Sequence, residues 1–78
     1  MPLEPAYRPV SCALHSELEL AIMRQTRLRL STAKGEISGR PLDLLIREGA
    51  EYLLLQDDHG QEHSLRLDQI QLTEIGAQ

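Results

Sequence analysis

Leu14, Leu18, Ala21 and Ile22 recur at i, i+4, i+7 and i+8, and a few residues later the apolar positions change to strict alternation. The first spacing puts four apolar side chains on one helical face and leaves Glu17 and Arg24 outside it. The second, from Thr26 to Thr32, sets Leu28 and Leu30 on one side and Arg27, Arg29 and Ser31 on the other, the period of a strand with one wet face. Two helix starts compete. Ser11 can cap an early one, whereas Ser16 with Glu19 three residues on matches a capping box one turn later; the earlier start is expected.

Further along, Ala33-Lys34-Gly35-Glu36 supplies a turn in which Gly35 can take positive φ. A second strand, Ile37 to Leu45, contains Gly39 and Pro41, which favour a bulge, a bend or an edge and so predict strong curvature. Arg47-Glu48-Gly49 is the next tight connection, Tyr52 to Leu55 an apolar strand, and Asp57-Asp58-His59-Gly60 a loop of turn formers. Two short strands, Ser64 to Leu67 and Ile70 to Leu72, straddle Asp68-Gln69. One helix followed by five short strands predicts a mainly β domain, a small bent antiparallel barrel over residues 10–73. The three prolines in residues 1–9 predict an extended arm that orders where Tyr7 and Val10 find a surface, and residues 74–78 read as a flexible tail.

With 78 residues there is room for one modest core and no large enclosed active site. Two tyrosines are the only aromatic residues, so the core is aliphatic and stacking platforms for bases are scarce. A net charge of −4 is the wrong sign for wrapping a nucleic-acid backbone and favours a basic protein surface as partner. One cysteine excludes an internal disulfide. No apolar run is long enough for a membrane span or a signal segment, so a cytoplasmic protein is expected.

Three candidate chemistries each meet a plainer explanation. His59 and His63 with Asp57, Asp58 or Cys12 contain metal-ligand types, but the spacing runs through a Gly-containing turn, and solvated turn histidines are expected instead. Cys12 and His15, three apart on a helix, lack an enclosing pocket, and Cys12 is expected as a small buried hydrophobe; no catalytic residue, metal or cofactor is assigned. Arg27, Arg29 and Arg40 could line an RNA-binding strip, but Glu36, Asp43 and Glu51 lie among them and cross-strand charge pairing explains them as well. Glu17 and Glu19 also have a bland explanation, favourable charges near a helix N-terminus.

Taken together, Tyr7-x-Pro9-Val10-x-Cys12, Leu18-Glu19-Leu20-Ala21, Gly35-Glu36, Glu51-Tyr52-Leu53 and Leu65-Arg66-Leu67-Asp68-x-Ile70 resemble the Rho-binding antiterminator family, Rof, in order and spacing from about Tyr7 to Ile70. The resemblance implies an Sm-like fold with one N-terminal α-helix. It also implies an inhibitor of Rho-dependent transcription termination, which binds the N-terminal domain of Rho and blocks its primary RNA-binding site without catalysis. The helix and the loop before the Glu-Tyr-Leu strand would face Rho, which here are His15, Ser16, Glu17 and Glu19, and Arg47, Glu48 and Gly49. A free monomer that makes no direct nucleic-acid contact is expected; the alternative is an Sm-like RNA-binding module. Where family members often carry aspartates and a tyrosine after the cysteine, this chain has Ala13-Leu14-His15-Ser16, and Glu48 stands where a basic or polar residue is common.

Overall fold

The computed structural model describes residues 10–76, so the expected arm at 1–9, with Tyr7, lies outside the described residues. Helix α1 runs Cys12–Arg24 and opens at the earlier start: Ser11 is extended, and its hydroxyl accepts the Leu14 N–H at 3.1 Å. At the other end Gln25 turns left-handed (φ 54°), and the Thr26 N–H reaches back to the Ala21 carbonyl at 2.9 Å. The first strand consequently starts at Leu28 rather than Thr26.

Strands β1 (Leu28–Thr32), β2 (Gly35–Arg47), β3 (Ala50–Asp57), β4 (Glu62–Arg66) and β5 (Gln71–Ile75) form one antiparallel sheet in the order β4-β3-β2-β1-β5, with a 3₁₀ turn at Leu67–Gln69 between the last two. β2 is long enough to pair with β1 through its first half and with β3 through its second, and the two ladders overlap at Gly39. A Cβ there would sit 2.1 Å from the Gln56 carbonyl oxygen, so the close passage of β3 requires glycine. Pro41 follows beyond the β1 ladder, where its missing N–H breaks no pairing with that strand, and the register slips between Pro41 and Asp43 as a bulge. Gly39, Pro41 and the bulge bend the sheet as the sequence predicts. The ladder stays open between edge strands β4 and β5, so the Sm-like barrel is a bent sheet and not a hydrogen-bonded cylinder.

Leu18 and Ala21 of α1 meet Leu28, Leu30, Leu53, Leu55, Leu67 and Ile70 in an all-aliphatic core, with Leu14, Ile22 and Leu44 around its edge. Removing these side chains from water is the dominant stabilising contribution in a chain this small. At the junction of β4 and the 3₁₀ turn, Arg66 and Asp68 form a largely buried pair, Nε to Oδ1 2.9 Å, whose N–H is not directed along a hydrogen-bond line.

Two expectations are corrected by the fold. Glu74 and Ile75 belong to β5 and pair with Arg29 and Leu28, and the Gly76 N–H donates to the Arg27 carbonyl at 2.7 Å, so the ordered sheet extends into the stretch read as a flexible tail. Cys12 is exposed on the first turn of α1, not buried: it lies off the stripe of Leu14, Leu18 and Ala21 that faces the core.

Candidate functional site

Along β3 the residues of the core face alternate as Glu51, Leu53 and Leu55, and the two leucines are completely buried. Glu51 continues that face past the buried leucines, where His15 of α1 reaches it. Across the ladder it is opposite Ile46, and Leu53 is opposite Leu44. A carboxylate at such a position needs a polar partner. His15 supplies it: Nε2 lies 2.8 Å from Glu51 Oε2, while Nδ1 lies 2.6 Å from Glu19 Oε1 one helical turn further on. The hydrogen bond with Glu19 is the largest cause that raises the His15 pKa above the ordinary histidine value; burial opposes it, and the bond with Glu51 and the two carboxylate charges add to the rise.

The tight turn that precedes β3 is two residues from this contact. Arg47 pairs with Ala50, and Glu48 (φ 52°) and Gly49 (φ 79°) between them are both left-handed, the geometry of a two-residue hairpin turn. Glycine adopts it freely, whereas Glu48 is a long-chain residue in a sparsely populated backbone region and carries its carboxylate at an exposed tip. Arg47 lies over the Tyr52 ring at 5.9 Å on the opposite face of the hairpin. His15 therefore links the helix to the strand that begins just after this turn.

Ser16 and Glu17 are exposed on α1, and no hydrogen bond or ion pair engages Glu17 among the described residues. The helix-terminus explanation for the glutamates fails on position: the first turn of α1 has no acidic residue, and the helix dipole acts within that turn. Glu51 is the participant that the sequence reading did not assign to the site. Its signal was its parity with Leu53 and Leu55, which puts a charge on the core side of a strand.

The other candidates resolve differently. Both ring nitrogens of His15 face carboxylates, which leaves neither for Cys12. His63 is not a solvated turn residue but stands half-buried on β4, with Nε2 2.7 Å from Asp57 Oδ2. Asp57 organises the β3–β4 loop by accepting the His59 and Gln61 N–H groups, each at 2.9 Å. The His63 bond first, then the Gln61 bond, holds its pKa below the usual aspartate value. No group of three or more metal-ligating side chains occurs among the described residues. Arg27 binds Asp58 through two nitrogens, at 3.0 and 2.5 Å, and Arg29 faces Glu74 across the β1–β5 ladder at 3.5 Å. Charge pairing holds for these arginines, with Asp58 and Glu74 as the partners in place of Glu36, Asp43 and Glu51. Arg40 is exposed. A shallow groove of about 650 Å³ between the β1–β2 turn and β4 is lined by His63 but by none of the residues expected to contact a partner.

Fold and site together define a small Sm-like domain in which one helix and strand β3 are joined by a histidine held between carboxylates. Residues 9–77 match the family model described as modulator of Rho-dependent transcription termination (ROF). The chain is also 33% identical over 69 residues to the proteins named rof of Escherichia coli (strain K12) and of Shigella flexneri, covering 87% of this chain and 81% of each relative. The chain belongs to the Rof family of modulators of Rho-dependent transcription termination. That family is one of transcription regulators, not a known enzyme family. No helix among the described residues is long and apolar enough to cross a membrane.

Proposed function

We propose that this protein inhibits Rho-dependent termination by binding the N-terminal domain of Rho over its primary RNA-binding site. It acts there as a monomer in the cytoplasm, with no direct contact to nucleic acid. A surface that receives phosphates is rich in Arg and Lys, and carboxylates displayed on a helix and a turn can meet the same donors. The observation that carries the reading is the tie between α1 and β3: His15 holds Glu19 of the helix and Glu51 of the strand, two residues after the Glu48–Gly49 turn. His15, Ser16, Glu17, Glu19, Arg47, Glu48 and Gly49 are the proposed contact residues, with Glu51 added.

The alternative of an Sm-like RNA-binding module draws less support, because Arg27 and Arg29 are already engaged by Asp58 and Glu74. The test is transcription in vitro on a template with a Rho-dependent terminator. Readthrough is expected to rise with protein concentration until termination is abolished. Termination that stays intact at saturating protein overturns the proposal. An RNA shift by the protein alone, with sedimentation as an oligomer, would favour the alternative.

A further inference from the structure

The two bonds of His15 carry a consequence for its protonation. An ionised carboxylate only accepts hydrogen bonds, and a neutral imidazole carries one N–H. With Nδ1 2.6 Å from Glu19 and Nε2 2.8 Å from Glu51, both ring nitrogens must donate, which only the imidazolium can do. Loss of either proton would set a nitrogen lone pair against carboxylate lone pairs. On the three elements that meet at this point, the charged groups facing the ring are Glu19 from α1 and Glu51 from β3; Leu44 and Ile46, the β2 residues on the same face, carry no charge. Both carboxylates are thus held by a cation that the protein itself provides, on a ring that is about one-third exposed.

We infer that His15 is a proton-dependent latch: the imidazolium fastens α1 to β3 and occupies Glu19 and Glu51, and it must give up these carboxylates for them to engage the Arg or Lys side chains of a partner. The inference rests on the binding reading above and adds a regulatory element to it. In the exchange both N–H···O bonds of the ring are lost, one of its two N–H protons passes to solvent to leave a neutral imidazole, and the two freed carboxylates accept from guanidinium or ammonium groups. Docking is then linked to proton release, and acid opposes it by strengthening the internal competitor.

Two measurements test this. In the free protein, ¹⁵N-resolved imidazole spectra at pH 6 are expected to show His15 protonated on both nitrogens, with amide shifts in α1 and at the start of β3 following its midpoint. A neutral His15 at pH 6 overturns the latch without involving Rho. Calorimetry of the full chain with purified Rho at pH 6, in two buffers of different ionisation enthalpy, is expected to show release of up to about one proton per protein bound. Between pH 6.5 and 5.5 the Kd should weaken by up to about tenfold, and His15→Gln, which cannot protonate, should weaken much less. Binding with equal heats in both buffers, or an unaltered pH profile in His15→Gln, overturns the latch and leaves the binding reading standing. Absence of any binding overturns both.

Discussion

The carboxylates of Glu19 and Glu51 are 32 positions apart in the chain, yet both are within hydrogen-bond distance of the single imidazole of His15. This ties the helix to the strand that begins just after the β2–β3 turn. Because the His15 pKa is raised above its ordinary value, the stability that the tie contributes is fully present below the unfolded-state value of 6.5 and is lost as pH rises through the folded-state value. Chemical denaturation of the wild type and of His15→Gln is expected to show the wild type losing its advantage as pH rises above 6.5 and through the raised folded-state value. Parallel pH profiles for the two proteins would argue against the tie.

Glu17 and Glu19 lie beyond the first helical turn, so reversing their charge removes no helix-dipole stabilisation. Glu17→Lys with Glu19→Lys removes the His15–Glu19 bond and so lowers the stability of α1 somewhat, and it is expected to slow association with Rho by about tenfold or more at low ionic strength. The difference should shrink as salt is added, because facing surface charges are screened. Stopped-flow association rates at several salt concentrations provide the check.

The left-handed turn position of Glu48 predicts opposite effects on stability and binding. Glu48→Asn places a residue that tolerates this conformation between Arg47 and Gly49 and is expected to stabilise the fold by about 1 kcal/mol. The same change removes a carboxylate from the proposed contact surface and should weaken the complex. Thermal unfolding and titration with Rho read the two effects separately.

Gly39→Ala drives a methyl group toward the Gln56 carbonyl, at a point where β2 is paired on both sides. A loss of about 2 kcal/mol or more is expected, comparable to overpacking a core. Truncation of the buried pair by Asp68→Ala leaves Arg66 largely buried beside an apolar core, and is expected to cost about 3 kcal/mol. Urea denaturation midpoints check both.

Acid acts at another place. The Asp57 carboxylate, held ionised by His63 and the loop amides, contributes stability that is present above the unfolded-state value of 3.8 and is lost as pH falls through its lowered value. Hydrogen exchange of the His59 and Gln61 amides should accelerate in Asp57→Ala at neutral pH, and in the wild type only on strong acidification.

Helix and strands were legible in the sequence because each element has its own apolar period: Leu14, Leu18, Ala21 and Ile22 face the core, and Leu28 and Leu30 are completely buried. Gly39 and Pro41 announced the bend for the reason the structure shows, a close passage and a missing donor. Ion pairs were not legible, because Asp58 and Glu74 reach Arg27 and Arg29 only after five strands have found their order. The His15–Glu51 contact depends in the same way on how the helix crosses the sheet. Cys12 was misplaced because burial follows the helical stripe and not residue type. The β5 ladder extended further than expected because Glu74 is held by backbone pairing and by Arg29, neither of which follows from local composition.

The central claim, that carboxylates on α1 and the adjoining turn take the place of RNA on Rho, is tested most directly by displacement. Fluorescent RNA bound to purified Rho is titrated with the protein at low ionic strength, with anisotropy and native mass recorded together. Complete displacement is predicted, with Rho–protein complexes that contain no RNA and a weaker effect from the Glu17→Lys, Glu19→Lys protein. RNA that stays bound while the protein joins it in a ternary complex would contradict the claim.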